Sequence, residues 1–256
     1  MVTLTLTGCL SVASMPTPAP DLVPSAPVPT FITPTINPTA TFTPELKPTG
    51  TPDLVNGLGS VLYQDNFDNN LGWEIGLSEI GGASFINGRL SLAVRQSNSY
   101  YFIHSPAPSM TSFFLEVSLR SELCTNGDEF GVMYRVNNSN EHYRFALTCD
   151  GEARVSRLME TGEIALIPIT QTYAAFPGLL VDNQIGVWAD GNNFRFFING
   201  LEVFTARDGV LKAGGLALFV RSRRGGQTTV SFDMLIARAL LPTPIPTSTA
   251  SPSAQP

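Results

Sequence analysis

The chain has 256 residues, of which 43% are hydrophobic, 14% charged and 9% aromatic, and its formal net charge is -6. At roughly 150 residues per domain, this length admits one large domain or two small ones. The acidic balance opposes binding to a phosphate backbone and so speaks against nucleic acid as a partner; no stretch reaches the roughly 18 apolar residues of a membrane-crossing helix.

Residues 1–15 read as the remnant of an export signal. Leu6-Thr7-Gly8-Cys9 resembles a bacterial lipobox, in which an aliphatic and two small residues precede a cysteine that becomes the lipidated first residue. A secretory signal needs a positive n-region and an apolar h-region of roughly 7–15 residues. Here no Lys or Arg precedes Cys9 and the apolar stretch is shorter. Two readings follow: translation starts further upstream, or Cys9 is incidental. The first makes Cys9 a lipid anchor, stable only with more than one acyl chain. The expected address is then extracytoplasmic, on a membrane-anchored cell-surface lipoprotein.

Residues 16–58 and 242–256 repeat Pro-Thr, Thr-Pro and Pro-Ala. Of 20 prolines, 11 lie between Pro16 and Pro52 and five from Pro242 onward, leaving only Pro106, Pro108, Pro168 and Pro177 between. Proline locks φ and lacks an N–H, so neither helix nor sheet propagates through such runs. They are expected to be disordered, either stiff polyproline-like spacers or tails without a specific role. One domain over 59–241 remains, long enough to bury a substantial core.

Strand signals recur through that domain, as short β-branched and aromatic runs separated by Gly, Asn and Asp. In chain order the runs are 61–67, 83–86, 89–94, 100–104, 113–121, 130–136, 143–149, 153–160, 163–167, 185–189, 194–198, 201–206, 215–220 and 229–237. Asn-Gly and Asp-Gly steps between several of them are hairpin cues, because a type I′ turn needs φ > 0 twice. No window carries a convincing helical period. The expectation is an all-β sandwich.

The Asn199-Gly200 step allows residue-by-residue pairing. A two-residue turn sets Ile198 opposite Leu201, Phe197 opposite Glu202, Phe196 opposite Val203 and Arg195 opposite Phe204. One face is then core, while Arg195, Phe197, Glu202 and Phe204 make a mixed face. The same parity sets Leu115, Val117 and Leu119 against Phe114, Glu116, Ser118 and Arg120. It also sets Tyr143, Phe145 and Leu147 against Arg144, Ala146 and Thr148. Together the mixed faces are expected to line a shallow concave surface.

Cys124 follows one strand and Cys149 another, with a strand between them. In an antiparallel meander those strand ends share an edge. A disulfide then requires a loop to close the gap to a Cα separation below ~7 Å, and the alternative is two free buried thiols.

The succession "YQDNFDNNLGWEIG", "INGRLSLAV", "FFLEVSLR", "GDEFGVMYRV", "HYRFALTCDGEARVSRL", "WADGNNFRFFINGLEVFTARDGVLKAGGLALFV" and "VSFDMLIARAL" resembles the concanavalin A-like lectin/glucanase superfamily. It is most similar to the laminin-G-like, glucanase-related domains of bacterial surface proteins. The resemblance covers roughly 61–240 and lies in pattern. It implies a jelly roll of two curved antiparallel sheets, with the first strand near Phe67-Asp68 paired to the last near Phe232-Asp233.

Glucanases of this fold carry Glu-x-Asp-x-x-Glu on one strand, which puts the carboxylates on one face. Here the corresponding run offers Glu116 and Glu122 with no Asp between, so catalysis is not expected. His104 and His142 lack a His or Cys at metal spacing. Members of the superfamily it resembles often hold a structural Ca²⁺, for which Asp65, Asp68, Asn69 and Asn70, or Asn126, Asp128 and Glu129, supply candidate hard oxygens; the same residues are ordinary turn formers. Sugar sites combine aromatic platforms with planar polar groups, and the candidates are Phe114, Glu116, Arg120, Arg135, Arg144, Phe197 and Glu202, with Tyr100, Tyr101, Trp73 and Trp188 as further aromatics. "RSRRGG" (Arg221 to Gly226) reads as a solvated basic turn. The functional expectation is a surface lipoprotein that binds glycan or another extracellular polymer. The alternatives are an adhesive module for protein partners or, third, an atypical glycoside hydrolase.

Overall fold

The computed structural model describes residues 57–137, 141–224 and 226–241. Cys9 and all but the margins of the Pro/Thr-rich segments lie outside them. The described residues form strands β1 (Leu58–Asp65), β2 (Gly81–Ile86), β3 (Arg89–Val94), β4 (Ser99–His104), β5 (Phe113–Leu123), β6 (Glu129–Asn137) and β7 (Glu141–Thr148). They continue with β8 (Glu152–Met159), β9 (Gly162–Gln171), β10 (Asp182–Asp190), β11 (Asn193–Ile198), β12 (Leu201–Arg207), β13 (Gly215–Ser222) and β14 (Thr228–Leu240). These are the expected runs with their ends moved by a few residues.

Two antiparallel sheets result. One is eight-stranded, in the order β12-β11-β10-β5-β14-β3-β2 with β1 also on β14; the other is six-stranded, in the order β4-β13-β6-β7-β8-β9. This is a concanavalin A-like sandwich. Its spine is β14, which lies along β5 on one edge. Its other edge takes β3 at Thr228–Phe232 and β1 at Leu235–Leu240. First and last strands therefore pair, but the register runs from Leu58↔Leu240 to Asp65↔Leu235 and does not join Phe67 to Phe232. Phe67 has left the strand at φ 59°. Its N–H donates to Asp65 Oδ1 at 2.8 Å, and its ring packs 5.6 Å from Trp73.

Alternating residues of both sheets meet in one core, with Leu90, Leu115, Val117, Val132, Tyr134, Phe145, Val155, Phe194, Phe196 and Phe232 fully buried. Burial of each large apolar side chain contributes roughly 1.5–3 kcal/mol, so the facing layers hold the sandwich together.

The β11–β12 hairpin turns as expected through Asn199 (φ 49°) and Gly200 (φ 78°), with Ile198↔Leu201 and Phe197↔Glu202 paired. The register then shifts, so that Phe196 faces Phe204 and Arg195 faces Thr205. Val203 is the extra residue of a β-bulge. The bulge turns Phe204 toward the core and so removes it from beside Phe197 on the outer face, while Leu201, expected in the core, is exposed.

Cys124 and Cys149 form a disulfide with Cα atoms 6.3 Å apart. The expected meander is corrected: β5 belongs to the eight-stranded sheet and β7 to the six-stranded one. The corner after β5 carries the chain from one layer to the other, so the bond ties the two sheets to each other.

Removing the disulfide by Cys124→Ala/Cys149→Ala frees a loop of 25 residues, whose closure contributes about 3 kcal/mol. Equilibrium urea unfolding of this double variant should show a loss of that size, with the fold retained by circular dichroism.

Candidate functional site

The expected ligand residues do not form one surface. Phe114, Glu116, Phe197 and Glu202 gather on the outer face of the eight-stranded sheet, in a row that runs Glu202–Phe197–Gly186–Glu116. A Cβ on Gly186 would stand 3.1 Å from Phe197 Cβ and 3.5 Å from the Phe114 ring. Over this notch the two rings meet edge to face at 5.7 Å, which buries both. Arg195 lies across Phe197 and Trp188 and donates to Glu202 from Nε at 3.0 Å. Burial raises the pKa of Glu116, against the pull of Arg238. The aromatics expected as an open platform are therefore closed by each other and by Arg195.

The three arginines lie elsewhere. Arg120 donates to Asp182 from Nε at 2.7 Å, at the far end of β5. Arg135 is fully buried at a bulge in β6 with φ 50°. It donates to the carbonyls of Thr111 at 2.7 Å and of Gly191 and Leu211 at 2.9 Å. A guanidinium has five N–H donors and no acceptor, so Arg135 serves as a pin for three loops and is withdrawn from ligand binding. Arg144 projects from the six-stranded sheet.

Asp65 and Asp68 do not fit a calcium site. Asp65 is buried and accepts from the Phe67 N–H at 2.8 Å, Trp73 Nε1 at 2.7 Å and Tyr63 Oη at 3.1 Å, so its lone pairs face hydrogens. Asp68 accepts from Asn66, and Asp128 accepts from Thr125, Thr228 and the Arg223 N–H. Among the described residues no three His, Cys, Asp or Glu side chains gather as metal ligands.

The outer face of the six-stranded sheet is organised differently. Its registers set Phe102, Phe219, Gly131, Ala146 and Arg154 in one row and Tyr100, Arg221, Glu129 and Thr148 in the next. In the middle of the face Met133, Ala146, Ala217 and Phe219 form a second buried apolar cluster away from the main core, and the Arg144 guanidinium lies over the Phe219 ring at 5.4 Å. Gly131 sits there at φ 152°, and a Cβ would meet the Phe145 carbonyl oxygen at 2.3 Å, so no other residue fits. On edge strand β4, Tyr100 stacks on Phe102 at 5.7 Å and His104 stands edge-on to Phe102 at 5.2 Å. Tyr100 is 40% exposed.

Beside this ladder lies Glu129, an outward-facing carboxylate with no solvent exposure. Arg223 Nη2 donates to Oε1 at 2.6 Å and Arg154 Nη2 to Oε2 at 3.1 Å, while Arg221 Nη1 stands 3.7 Å from Oε2. Arg154 also reaches Glu163 at 2.8 Å, and Glu163 receives Arg144 as well. Burial lowers the pKa of Arg154 and Arg221, as do neighbouring guanidiniums, against the pull of Glu129. Burial would raise Glu163, but Arg144, Ser156 and Arg154 bring it below the usual range. The pair network opens into a cleft of about 520 Å³, walled by Pro168 and Ile169 on one side and by Gly127, Arg223 and Arg224 on the other. Gly127 N–H donates to Asp150 at 2.8 Å and fixes the rim.

Sequence reasoning missed Glu129, Arg154, Glu163, Arg221 and Arg223 as a group. In the sequence the basic turn has the pattern of a solvated loop, and the turn before β6 that of a metal or turn signal. Parity alone marks Arg144 as outward; the convergence on Glu129 needs β13 beside β6, which pairs Arg221 with Glu129 across 92 positions.

His142 shares this face, buried and with neither ring nitrogen partnered among the described residues. Its pKa is lowered to about 4 by burial and then by Arg144 and His104, against Glu163.

No protein-family model matches the chain, and no curated protein does. Solved structures do share its fold. The carbohydrate-binding module CBM66 from Bacillus subtilis superposes with a TM-score of 0.53 at 17% identity, covering 66% of this chain and 96% of that one. A Bacillus subtilis protein of unknown function with a galectin-like fold gives 0.53 at 11% identity, covering 72% and 98%. A prokaryotic β-1,3-1,4-glucanase (lichenase) derived from a mouse hindgut metagenome gives 0.53 at 12% identity, covering 71% and 99%.

Because unfolded His142 binds a proton near pH 6.5 and folded His142 only near about 4, acid favours unfolding. Stability should fall by up to roughly 3 kcal/mol as pH drops from 6.5 through 4. Urea unfolding across that range should show the slope in the parent protein and a flatter one in His142→Leu.

Proposed function

We propose that this chain is a non-catalytic carbohydrate-binding protein of the cell surface, and that its glycan lies on the outer face of the six-stranded sheet. The observation that carries this reading is the juxtaposition, on one face, of the Tyr100–Phe102 ladder and the cleft over Glu129. A sugar ring has an apolar face, which an aromatic plane can cover, and a hydroxyl edge, which planar charged groups can bind. Tyr100 is Arg221's neighbour across β4 and β13, and Arg221 leans on Glu129, so platform and polar wall adjoin. Binding sites that fix a ligand through a few convergent polar groups in a partly apolar cleft follow this pattern. The shared fold with a module named for carbohydrate binding supports the reading.

The non-catalytic part rests on the carboxylates. Glycoside hydrolysis uses a pair of carboxyl groups, one as acid and the other as base or nucleophile. On this face Glu129 is held by three guanidiniums and Glu163 by two, which leaves neither free to take that role. The disulfide is consistent with an oxidising, extracytoplasmic location.

A second reading, docking of a protein partner, draws on the loop after β9. Tyr173, Phe176 and Leu180 are exposed there, although Gly178 N–H donates to the Cys149 carbonyl and Leu180 N–H to that of Ser121.

Tyr100→Ala should weaken binding of the best ligand from a polysaccharide panel about tenfold, or ~1.4 kcal/mol, by isothermal titration calorimetry. Glu202→Gln, on the opposite sheet, should leave it unchanged. Equal loss in both, or loss only in Glu202→Gln, would move the site to the other face.

A further inference from the structure

The ion-pair network that opens into the cleft carries more cation than its own two carboxylates neutralise. Four guanidiniums, of Arg144, Arg154, Arg221 and Arg223, share the carboxylates of Glu129 and Glu163. Arg223 keeps 35% of its side chain exposed and Arg221 25%, so donors of both remain available from the solvent side. Arg224, also at the wall, adds another cation. Desolvated guanidiniums crowded in this way repel one another, and an incoming anion relieves that repulsion through charge-assisted, bidentate bonds.

The rim has the opposite character. Asp150 and Glu152 line the cleft, and Asp150 is oriented by the Gly127 N–H. A carboxylate is an acceptor only, so the rim attracts hydroxyl donors and repels further negative charge. Asp128 takes no part, since its oxygens are spent on Thr125, Thr228 and the Arg223 N–H.

We infer that the ligand of this face is a carboxylate-bearing sugar, a uronic acid unit within a polysaccharide. Its carboxylate meets Arg223 and Arg224 at the wall of the cleft, and its hydroxyls donate to Asp150 and Glu152, which line it as well. Each alternative suits only one half of the cleft. A neutral sugar leaves the guanidinium surplus unanswered. A densely sulfated polymer offers the guanidiniums their anion but presents Asp150 and Glu152 with negative charge and few free hydroxyls. The inference rests on the proposed glycan site and specifies its ligand. The chain's net charge of -6 makes the attraction local, so it should not extend to polyanions at large.

The test titrates the full-length protein with polygalacturonate, alginate and hyaluronan, with the carboxyl-reduced form of each, and with dextran sulfate and a neutral β-glucan. At least one uronate polymer should bind tenfold or more tightly than its carboxyl-reduced form, with affinity falling as salt rises. Arg223→Gln should remove most of that preference, and Arg120→Gln, on the other sheet, should not. Equal affinity for the acid and reduced polymers, or tightest binding to neutral glucan, overturns the inference while leaving a glycan site standing. Tightest binding to dextran sulfate overturns it in favour of a general polyanion surface. Absence of binding to every polymer overturns both the inference and the glycan site on which it rests.

Discussion

A carboxylate with no exposure, on a face that points away from the core, is costly unless fully paired. Glu129 meets that condition through Arg154, Arg221 and Arg223, which come from two different strands and the loop after one of them. The pairing depends on β13 lying against β6 and β7 against β8. It depends also on the Thr125–Asp128 turn, which sets the start of β6 and accepts the Arg223 N–H. The clamp thus links the sheet's register, the turn before β6 and the loop after β13 in one arrangement.

The rest of the fold gives that clamp a stable base. Pairing of β14 with β5, β3 and β1 closes the eight-stranded sheet, and the main core joins it to the six-stranded layer. The disulfide links the layers next to the cleft, since the turns after Cys124 and Cys149 supply Gly127 and Asp150 to its rim. At the other end of the sandwich, Arg135 holds three loops through their carbonyls. The two faces divide the labour. One is closed by Phe114, Phe197 and Arg195 over Gly186, and the other carries the cleft at Glu129, in one row with the exposed Tyr100.

Much of the fold was legible in the sequence, because period-two alternation and Asn-Gly or Asp-Gly turns are local signals. The fourteen strands and the Asn199-Gly200 turn follow from them. What they do not contain is sheet membership. Nothing local says that β5 and β6 part company at Cys124, so residues from opposite sheets looked like one ligand face. Nor does alternation reveal a bulge: Val203 displaced every pair after Phe197 and turned Phe204 inward. The candidate site was the least legible part. Glu129 and Arg223 are 94 positions apart, and each has a plausible local role in a turn. Arg135 failed as a candidate for a related reason, since its left-handed φ takes it off the strand's alternation.

The central claim is that the outer face of the six-stranded sheet is the one that meets a ligand. Backbone amide shifts in ¹⁵N-correlated NMR spectra, recorded as an oligosaccharide is titrated into labelled protein, test it residue by residue. The account expects the perturbed amides to cluster at 100–102, 127–131, 150–154 and 221–224. Perturbations concentrated at 186–188 and 195–202, on the opposite sheet, would contradict it.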